Sequence, residues 1–536
     1  MPHPSYIPSA KQTHSGGRNI IITVGRHDKA VFEHALTSFH IHYCLSICTQ
    51  RDILPEIRTE ISEMRHLHHF DDVDWNEFLP LDEELIERMR DCETVALQMM
   101  GRTGVMGKTI PYQERKRTYL QILRFCNSIL TEKNIDLFLL SSIPHHGLTY
   151  VFYVLCRKRG IPVLFVSQWD PLPDTFSLQE NWEDPAPELA RRFHELKTEV
   201  RNPATVPLSP QFEEYWQVHT EHVDDVKTGM QQRSDEQSKR SIHCRPEPWY
   251  VLYTGKTPFG RWRERAYMIL RANPLQFLWH VLIFIPRRLR PSRLRGRLLR
   301  MRAYSRGRAI FRFYDSNVRN PDLSHRYIYV PLHLQPEATT LPMGGAYVDQ
   351  ILLVHMLNAL LPADILLYVK EHPYQKKGYP DGCDRSVTFY KDLLACKRVR
   401  FVSTKESSYR LTQHALAVAV ITGTAGLEAL FRAKPVLMFG HRYFQYAPGV
   451  FPVHTVEDCK RALHAIIDEG AKPSLPDVRL FLKAVEDVIS ECAMGEYGKV
   501  SKFSREENAR RAGMVIAAEI EKRLGWQRRN VSPVSS

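Results

Sequence analysis

The sequence predicts an α/β protein with two doubly wound, Rossmann-like domains that face each other across a cleft. In the N-terminal half, an apolar run, a loop, a helical stretch, a glycine and a second apolar run follow one another, which is typical of a parallel crossover. In the C-terminal half, short apolar runs alternate regularly with helical patterns, which predicts a second parallel sheet. The 536 residues are enough for about two to four domains.

The N-terminal domain is expected over residues 17–200. Its clearest unit is a strand at Ile135–Leu140, a helix at Leu148–Arg159 that Gly160 ends, and a strand at Ile161–Val166. Four further elements belong to the same domain. They are the strands Ile20–Val24 and Tyr43–Ile47 and the helices Asp82–Met99 and Gln113–Leu130.

The C-terminal domain is expected over residues 325–500, and residues 501–536 are expected to form a helix, Glu506–Leu524, and a polar tail. Five apolar runs have the length and composition of buried parallel strands. These strands are Tyr327–Pro331, Ile365–Lys370, Arg400–Val402, Ala417–Ile421 and Val436–Phe439. The helices expected with them are Ala346–Leu360, Phe389–Ala395, Ser407–Gln413, Leu427–Phe431 and Val456–Ile467.

Residues 201–324 are predicted to form a helical and linker region that contains an arginine-rich segment, Arg261–Arg312. This segment holds fifteen arginines, no lysine and one acidic residue, so its charge of +14 exceeds the net charge of +13 of the whole chain. Apolar residues between the arginines favour a basic amphipathic helix on an anionic membrane. A solvated linker between the domains is the alternative. No nucleic-acid-binding motif accompanies the segment, so nucleic acid is not expected as a partner.

Composition excludes several other classes of protein. The ten cysteines form no Cys-x-x-Cys pair, and we expect neither a structural zinc nor any other bound metal. The first residues are polar and no run of 18 apolar residues occurs, so neither a signal peptide nor a membrane-spanning helix is expected. These features favour a cytoplasmic protein with reduced thiols.

Two segments of the C-terminal domain could bind a phosphate at strand ends. Thr422, Gly423, Thr424 and Gly426 join a buried strand to a helix, where free amides and the helix dipole favour an anion. In the first turn of that helix, Glu428 could accept hydrogen bonds from ribose hydroxyls. The alternative is a glycine-rich turn in which Glu428 only complements the helix dipole.

Lys370-Glu371-His372-Pro373 follows another strand and reaches the same predicted edge of the sheet, where open α/β sheets bind ligands. His372 could donate to a phosphate, and Glu371 could act as a base or orient a neighbour. The loop after Pro331 adds Gln335 as a further ligand-binding candidate. A plain turn with a surface histidine is the alternative.

The N-terminal domain offers candidates for the other side of the cleft. His145 and His146 lie in the loop after the strand Ile135–Leu140, and Asp170 follows the next strand. Any of them could contact an acceptor or serve as a base. Adjacent histidines in a loop are also common as solvated surface residues.

The motifs of the C-terminal half resemble those of the capsule polysaccharide biosynthesis family, which includes Kdo transferases. The resemblance rests on Glu371-His372-Pro373, on Thr422-Gly423-Thr424-Ala425-Gly426-Leu427-Glu428, and on Lys434-Pro435-Val436-Leu437-Met438-Phe439-Gly440. It covers Tyr327–Ile467 well and Ile135–Asp170 loosely. It implies a GT-B-like fold, in which two Rossmann-like domains hold a nucleotide sugar between them.

The resemblance further implies metal-independent sugar transfer with a nucleotide sugar, possibly CMP-Kdo, as substrate and no bound cofactor. By position, His372 would contact the donor phosphate or nucleotide. Residues 422–424 and 426 would hold the phosphate, and Glu428 the ribose. The acceptor would be a growing surface polysaccharide or its lipid carrier, at the inner face of the membrane. The alternatives are a nucleotide-sugar epimerase on the same fold and a non-catalytic polysaccharide-assembly protein at the membrane.

Overall fold

The computed structural model describes residues 17–25, 28–48, 61–67, 74–101, 110–169, 174–221, 291–337, 339–378, 382–495 and 501–529. Over these residues the chain forms two sheets flanked by helices, which confirms the predicted α/β fold with two Rossmann-like halves. The candidate residue Asp170 and the part of the arginine-rich segment before residue 291 lie outside the described residues.

The first sheet has seven strands and belongs to the N-terminal half. Its strands are β1 (Arg18–Val24), β2 (Ile41–Cys48), β3 (Glu63–Leu67), β4 (Leu137–Leu140), β5 (Val163–Gln168), β6 (Thr175–Gln179) and β13 (Ser490–Glu491). They lie in the order β13-β6-β5-β4-β1-β2-β3, parallel except at β6 and β13. Ile20, Ile21 and Ile22 are fully buried at its centre. The strand order reverses between β1 and β4.

Five helices belong to this half: α1 (Lys29–Leu36), α2 (Glu83–Arg88), α3 (Arg90–Gly101), α4 (Tyr112–Glu132) and α5 (Gly147–Lys158). The strands and helices expected here are confirmed, with ends shifted by one or two residues in most cases. The helix expected over Asp82–Met99 is the exception, because it is divided at Met89, which is fully buried.

The second sheet is entirely parallel and belongs to the C-terminal half. Its strands are β7 (Tyr327–Pro331), β8 (Leu366–Lys370), β9 (Val399–Val402), β10 (Ala417–Val420), β11 (Val436–Met438) and β12 (Val450–Pro452). They lie in the order β12-β11-β10-β7-β8-β9. The order reverses between β7 and β10, and ligands of open α/β sheets bind outside the carboxyl ends at such a switch point.

Six helices connect these strands or follow them: α9 (Ile351–Leu360), α10 (Pro373–Gly378), α11 (Val387–Ala395), α12 (Ser408–His414), α13 (Thr424–Leu430) and α14 (Val456–Ile467). Two starts differ from prediction. The helix expected from Ala346 is a short 3-10 turn, Gly345–Val348, followed by α9. The helix expected from Leu427 starts at Thr424, because Gly423 already has the extended backbone of an N-cap.

The chain returns to the N-terminal half at its end. After α15 (Leu475–Val488), β13 pairs antiparallel with β6, and α16 (Arg505–Leu524) packs on α1. Two side chains fix this return, because Asn508 bonds the backbone N–H and C=O of Ala493, and Asp28 accepts the Gly495 N–H at 2.6 Å. The last helix is therefore part of the N-terminal layer.

Within the described ranges, three more helices lie between the two sheets in sequence: α6 (Pro187–Glu199), α7 (Pro210–Thr220) and α8 (Pro291–Ser316). Both α6 and α7 pack on α15, where Arg479 binds the Glu213 carboxylate with two nitrogens, at 3.0 and 2.7 Å. α8 holds the described part of the arginine-rich segment. It buries one face, which includes Ile310 and Tyr314, against the C-terminal half.

Candidate functional site

Three loops meet at the switch point of the C-terminal sheet, and each brings one element of the candidate site. His333 follows β7, His372 follows β8, and Thr422 and Gly423 follow β10. The ring of His333 joins two of the loops, because its Nε2 accepts the Thr422 N–H at 3.0 Å. The sequence-predicted phosphate loop and the His-Pro motif therefore share one edge of the sheet.

His372 is held as a neutral hydrogen-bond donor. Its Nδ1 accepts the Tyr374 N–H at 3.2 Å, which puts the ring proton on Nε2. Burial lowers the pKa of His372 to about 4, and the Glu371 carboxylate offsets part of that shift. Near neutral pH the ring is uncharged, and its partly exposed Nε2–H can bind an acceptor such as a phosphate oxygen.

Glu371 is placed in the interior rather than in the cleft. Its side chain is fully buried, and it accepts from Arg385 Nε at 2.7 Å, Arg385 Nη2 at 3.2 Å and the Tyr390 hydroxyl at 2.6 Å. It also accepts the backbone N–H of His372 at 2.8 Å. The structure therefore gives Glu371 a positioning role instead of a catalytic one, since its oxygens already have partners and are shielded from any substrate.

Gln335 belongs to the same interior network, contrary to the prediction that it binds a ligand. Its Oε1 accepts from Gln350 Nε2 and from Arg385 Nη1, both at 2.7 Å, and its Nε2 donates to the Val348 carbonyl at 2.7 Å. Only 8% of its surface is exposed. Gln335 fixes the loop after β7, and its side-chain oxygen already accepts two hydrogen bonds inside the protein.

The four predicted residues of the phosphate loop divide into two pairs. Thr422 is buried and donates its hydroxyl to the Thr339 carbonyl at 2.6 Å. Gly426 is buried, and a Cβ at this position would lie 2.9 Å from Val420 Cγ2. The absence of a side chain here therefore lets the helix pack closely on the sheet. Gly423 and Thr424 are partly exposed at the start of α13 and are the two residues that a ligand can reach.

Glu428 lies beside a buried lysine that sequence reasoning missed as a site residue. Lys370 donates to the Glu406 carbonyl at 2.6 Å and to Ser408 Oγ at 2.7 Å. Burial lowers the pKa of Lys370 to about 8, and the charges of Glu406 and Glu428 oppose that shift. Burial also raises the pKa of Glu428, while Arg432, Thr424 and Lys370 lower it in part.

The alternation of side chains along β8 could have predicted the position of Lys370. Successive side chains of a strand point to opposite faces, so Lys370 and Glu371 must lie on opposite sides of β8. His333 was not predicted as a site residue, because nothing in the local pattern indicates that its ring reaches Thr422, which is 89 residues away.

In the N-terminal half, the predicted histidines lie beyond the carboxyl end of β4. His145 Nδ1 is 2.7 Å from the Ile143 carbonyl oxygen, and His146 occupies the N-cap position of α5. Their rings are 4.0 Å apart. Asp28 is a carboxylate at the same edge that the sequence did not reveal, and burial raises its pKa to about 6.

The two halves meet through other residues. Leu341 and Met343, in the loop after β7, are buried among the core residues of the N-terminal half. Trp169 stacks on Tyr443 with ring centroids 4.2 Å apart, and Trp182 meets His441 edge to face. The loops that follow β7 and β11 therefore contact the edge of the N-terminal sheet. Among the described residues, no three side chains of His, Cys, Asp or Glu are grouped as they would be around a metal ion.

Residues 316–458 match the family model described as "Capsule polysaccharide biosynthesis protein". This part of the chain is similar to that family. The matched segment contains His333, His372, Thr422, Gly423 and Glu428, so it spans every element of the switch-point site. Comparison with curated proteins finds no similar sequence.

Several solved structures superpose on the chain at low identity. KpsC of Thermosulfurimonas dismutans, a beta Kdo 2,7 transferase, is 11% identical, covers 73% of this chain and 88% of its own, and has a TM-score of 0.29. A glycosyltransferase from Rickettsia africae is 9% identical, covers 95% of this chain and 99% of its own, and has a TM-score of 0.25. The UDP-GlcNAc 2-epimerase of Methanocaldococcus jannaschii is 10% identical, covers 88% of this chain and 99% of its own, and has a TM-score of 0.24. At these values the superpositions carry no argument about activity.

The contact between His333 and the phosphate loop can be tested by a double-mutant cycle. A Cβ added at Gly423 would lie 2.8 Å from His333 Nε2, while the backbone of Gly423 (φ −69°) suits alanine. We expect Gly423→Ala to lower the free energy of unfolding by about 1–3 kcal/mol. In a His333→Ala background the same change should cost at least ~1 kcal/mol less.

Urea-induced unfolding of the four proteins measures this coupling. Gly101→Ala is the matched control, because among the described residues a Cβ there meets only Arg115 Nη1, at 3.4 Å, and should leave stability almost unchanged. If the two substitutions changed the free energy of unfolding additively, the His333 ring would not contact the loop at Gly423.

Proposed function

We propose that the protein is a glycosyltransferase. It would transfer a sugar from a nucleotide-activated donor, possibly CMP-Kdo, to a growing capsular or surface polysaccharide or to its lipid acceptor. The observation that carries this proposal is the family match over residues 316–458, because it coincides with the loops that build the switch-point site. His333 joins the loop after β7 to the loop after β10 there, and the His-Pro motif follows the neighbouring strand β8.

The geometry supports a division of roles in donor binding. The Nε2–H of His372 and the backbone N–H groups of Gly423 and Thr424 would bind the donor phosphate. These groups are fixed before the donor arrives, so they can stabilise the negative charge that grows on the leaving phosphate. Glu428 would accept hydrogen bonds from the ribose, and the nearby Lys370 favours its charged form. Catalysis in this scheme needs no bound cofactor or metal ion.

The acceptor would approach from the N-terminal half. Its loop after β4 carries His145 and His146, and Asp170 follows β5 in the sequence. We propose these three residues as the groups that orient or deprotonate the acceptor hydroxyl. Because His146 is exposed, its replacement is not expected to disturb the fold.

The donor class can be read from a thermal-shift panel with CMP, UDP, GDP, CDP and their sugars. A ligand that binds only the folded state raises the melting temperature. We expect nucleotides with one of these bases to raise the melting temperature. His372→Ala should remove most of it, because it deletes a hydrogen bond to a charged group, worth about 1.5–3 kcal/mol or roughly 10- to 100-fold in affinity. Glu457→Ala is the control, since that residue is an exposed carboxylate on α14.

Two outcomes would contradict the proposal. If no nucleotide of the panel raised the melting temperature, the protein would not have the proposed nucleotide site. Turnover of a free UDP-sugar to its isomer without an acceptor would identify an epimerase on this fold rather than a transferase.

We also propose that the protein is cytoplasmic and associates with the anionic inner face of a membrane through Arg261–Arg312. In the described part of that segment, α8 exposes Leu298 and Met301, with 60% and 65% of their surface accessible. Exposed arginines lie beside them at Arg302 and Arg306. None of the helices in the described ranges is both long and apolar enough to cross a bilayer.

Binding to phosphatidylglycerol vesicles, measured by co-sedimentation, tests the membrane surface. Leu298→Ser together with Met301→Ser removes two apolar contacts and should weaken binding by at least about tenfold. Leu352→Ser is the control, because Leu352 is an exposed leucine on α9, outside the segment. Equal binding of all three proteins would contradict a membrane role for α8.

A further inference from the structure

A groove of about 530 Å³ opens between the last turns of α8 and the helix α10. It is lined by Arg308, Phe311, Arg312, Asp315, Ser316 and Lys376. None of these residues is part of the switch-point site as described above. The groove is connected to that site only through the framework, since Tyr314 on α8 accepts the Glu371 N–H at 2.9 Å and Lys376 lies one helical turn after His372.

The charges in the groove are not balanced. Lys376 pairs with Asp315 and lies over the Tyr314 ring at 5.1 Å, so one cation and the one anion of the lining neutralise each other. Arg308 and Arg312 form no ion pair with any residue in the described ranges. The lining therefore keeps a formal charge of +2.

The two remaining arginines also repel each other. They are exposed and lie four residues apart on one helix face, a spacing at which like charges are destabilising. Asp315 is the sole acidic residue of α8, and α10 contains none. Asp315 is already paired with Lys376, so neither helix has a further anion to relieve the repulsion, and a bound anion would relieve it.

We propose that this groove binds a phosphate group that carries two negative charges. A phosphomonoester has a charge of about −1.5 to −2 at neutral pH, which matches the unbalanced +2 of the lining. Guanidinium groups bind phosphate oxygens with two parallel N–H donors, and the Ser316 hydroxyl offers a further polar group at the rim. The phosphate can come from a soluble ester or from a lipid headgroup. The inference does not depend on the proposed sugar transfer.

The experiment compares two double variants by isothermal titration calorimetry. Arg308→Ala/Arg312→Ala empties the groove of its unpaired charges. Arg505→Ala/Arg510→Ala is the control, because it removes the same charge from exposed arginines of α16, which do not line the groove. With inorganic phosphate as the probe, the first variant should bind at least about tenfold more weakly than the parent, and the control about equally.

Two additions make the result specific. Phosphate binding should persist in His372→Ala, which separates the groove from the proposed donor site. A second titration with dihexanoyl phosphatidic acid below its micelle concentration, beside dihexanoyl phosphatidylcholine, distinguishes the sources of the phosphate. Tighter binding of the phosphatidic acid supports a lipid headgroup, and equal binding of phosphatidic acid and inorganic phosphate supports a soluble ester. Absence of binding by both phosphate probes, or equal weakening in the two double variants, would overturn the proposal.

Discussion

The ion pair between Glu371 and Arg385 is the constraint on which the C-terminal site depends. Both side chains are completely buried, 2.7 Å apart, beneath the switch point of the sheet. Such a pair is costly to desolvate and is tolerated only when its remaining hydrogen-bonding groups are satisfied. Here they are satisfied, since Arg385 also donates to the His333 carbonyl at 2.8 Å and to Gln335 Oε1 at 2.7 Å. The pair thereby holds together the loops that follow β7 and β8.

A short series of contacts leads from this pair to the residues that a ligand can reach. Arg385 holds the backbone of His333, and the ring of His333 accepts the N–H of Thr422. Gly423 follows directly and opens α13. On the other side, Glu371 holds the backbone N–H of His372 and so orients its ring. The polar groups of the site are thus fixed before a ligand binds, by a buried ion pair and its hydrogen bonds. Such preorganised groups stabilise developing charge most effectively.

Much of the fold could be predicted from the sequence because buried parallel strands are short, continuous apolar runs. β7 and α14 have the predicted bounds, and β8, β10 and β11 differ by one residue. The strands that escaped prediction are peripheral or short. β3 carries Glu63, Arg65 and His66 at the sheet edge, and β13 has two residues. The return of α16 to the first half also escaped prediction, because only tertiary contacts specify it.

The candidate site was predictable by location but less so by role. A polar residue just after a buried strand indicates the ligand-binding edge of a parallel sheet, and His372, Gly423 and Thr424 were predicted in this way. That rule does not tell which polar groups point inward. Glu371 and Gln335 have the same sequence context as His372, yet Arg385 and Gln350 draw them into the interior. Arg385 lies in a loop with no strand before it, so no local pattern marks it.

We propose that the buried pair presents His372 and Gly423 to a nucleotide phosphate at the switch point. A crystal structure of the protein with the nucleotide that raises its melting temperature most would test this arrangement. We expect a phosphate oxygen within about 3 Å of His372 Nε2 and of the N–H of Gly423 or Thr424, with Glu371 still bound to Arg385. A nucleotide bound elsewhere, or a Glu371 carboxylate released from Arg385 to contact the ligand, would contradict it.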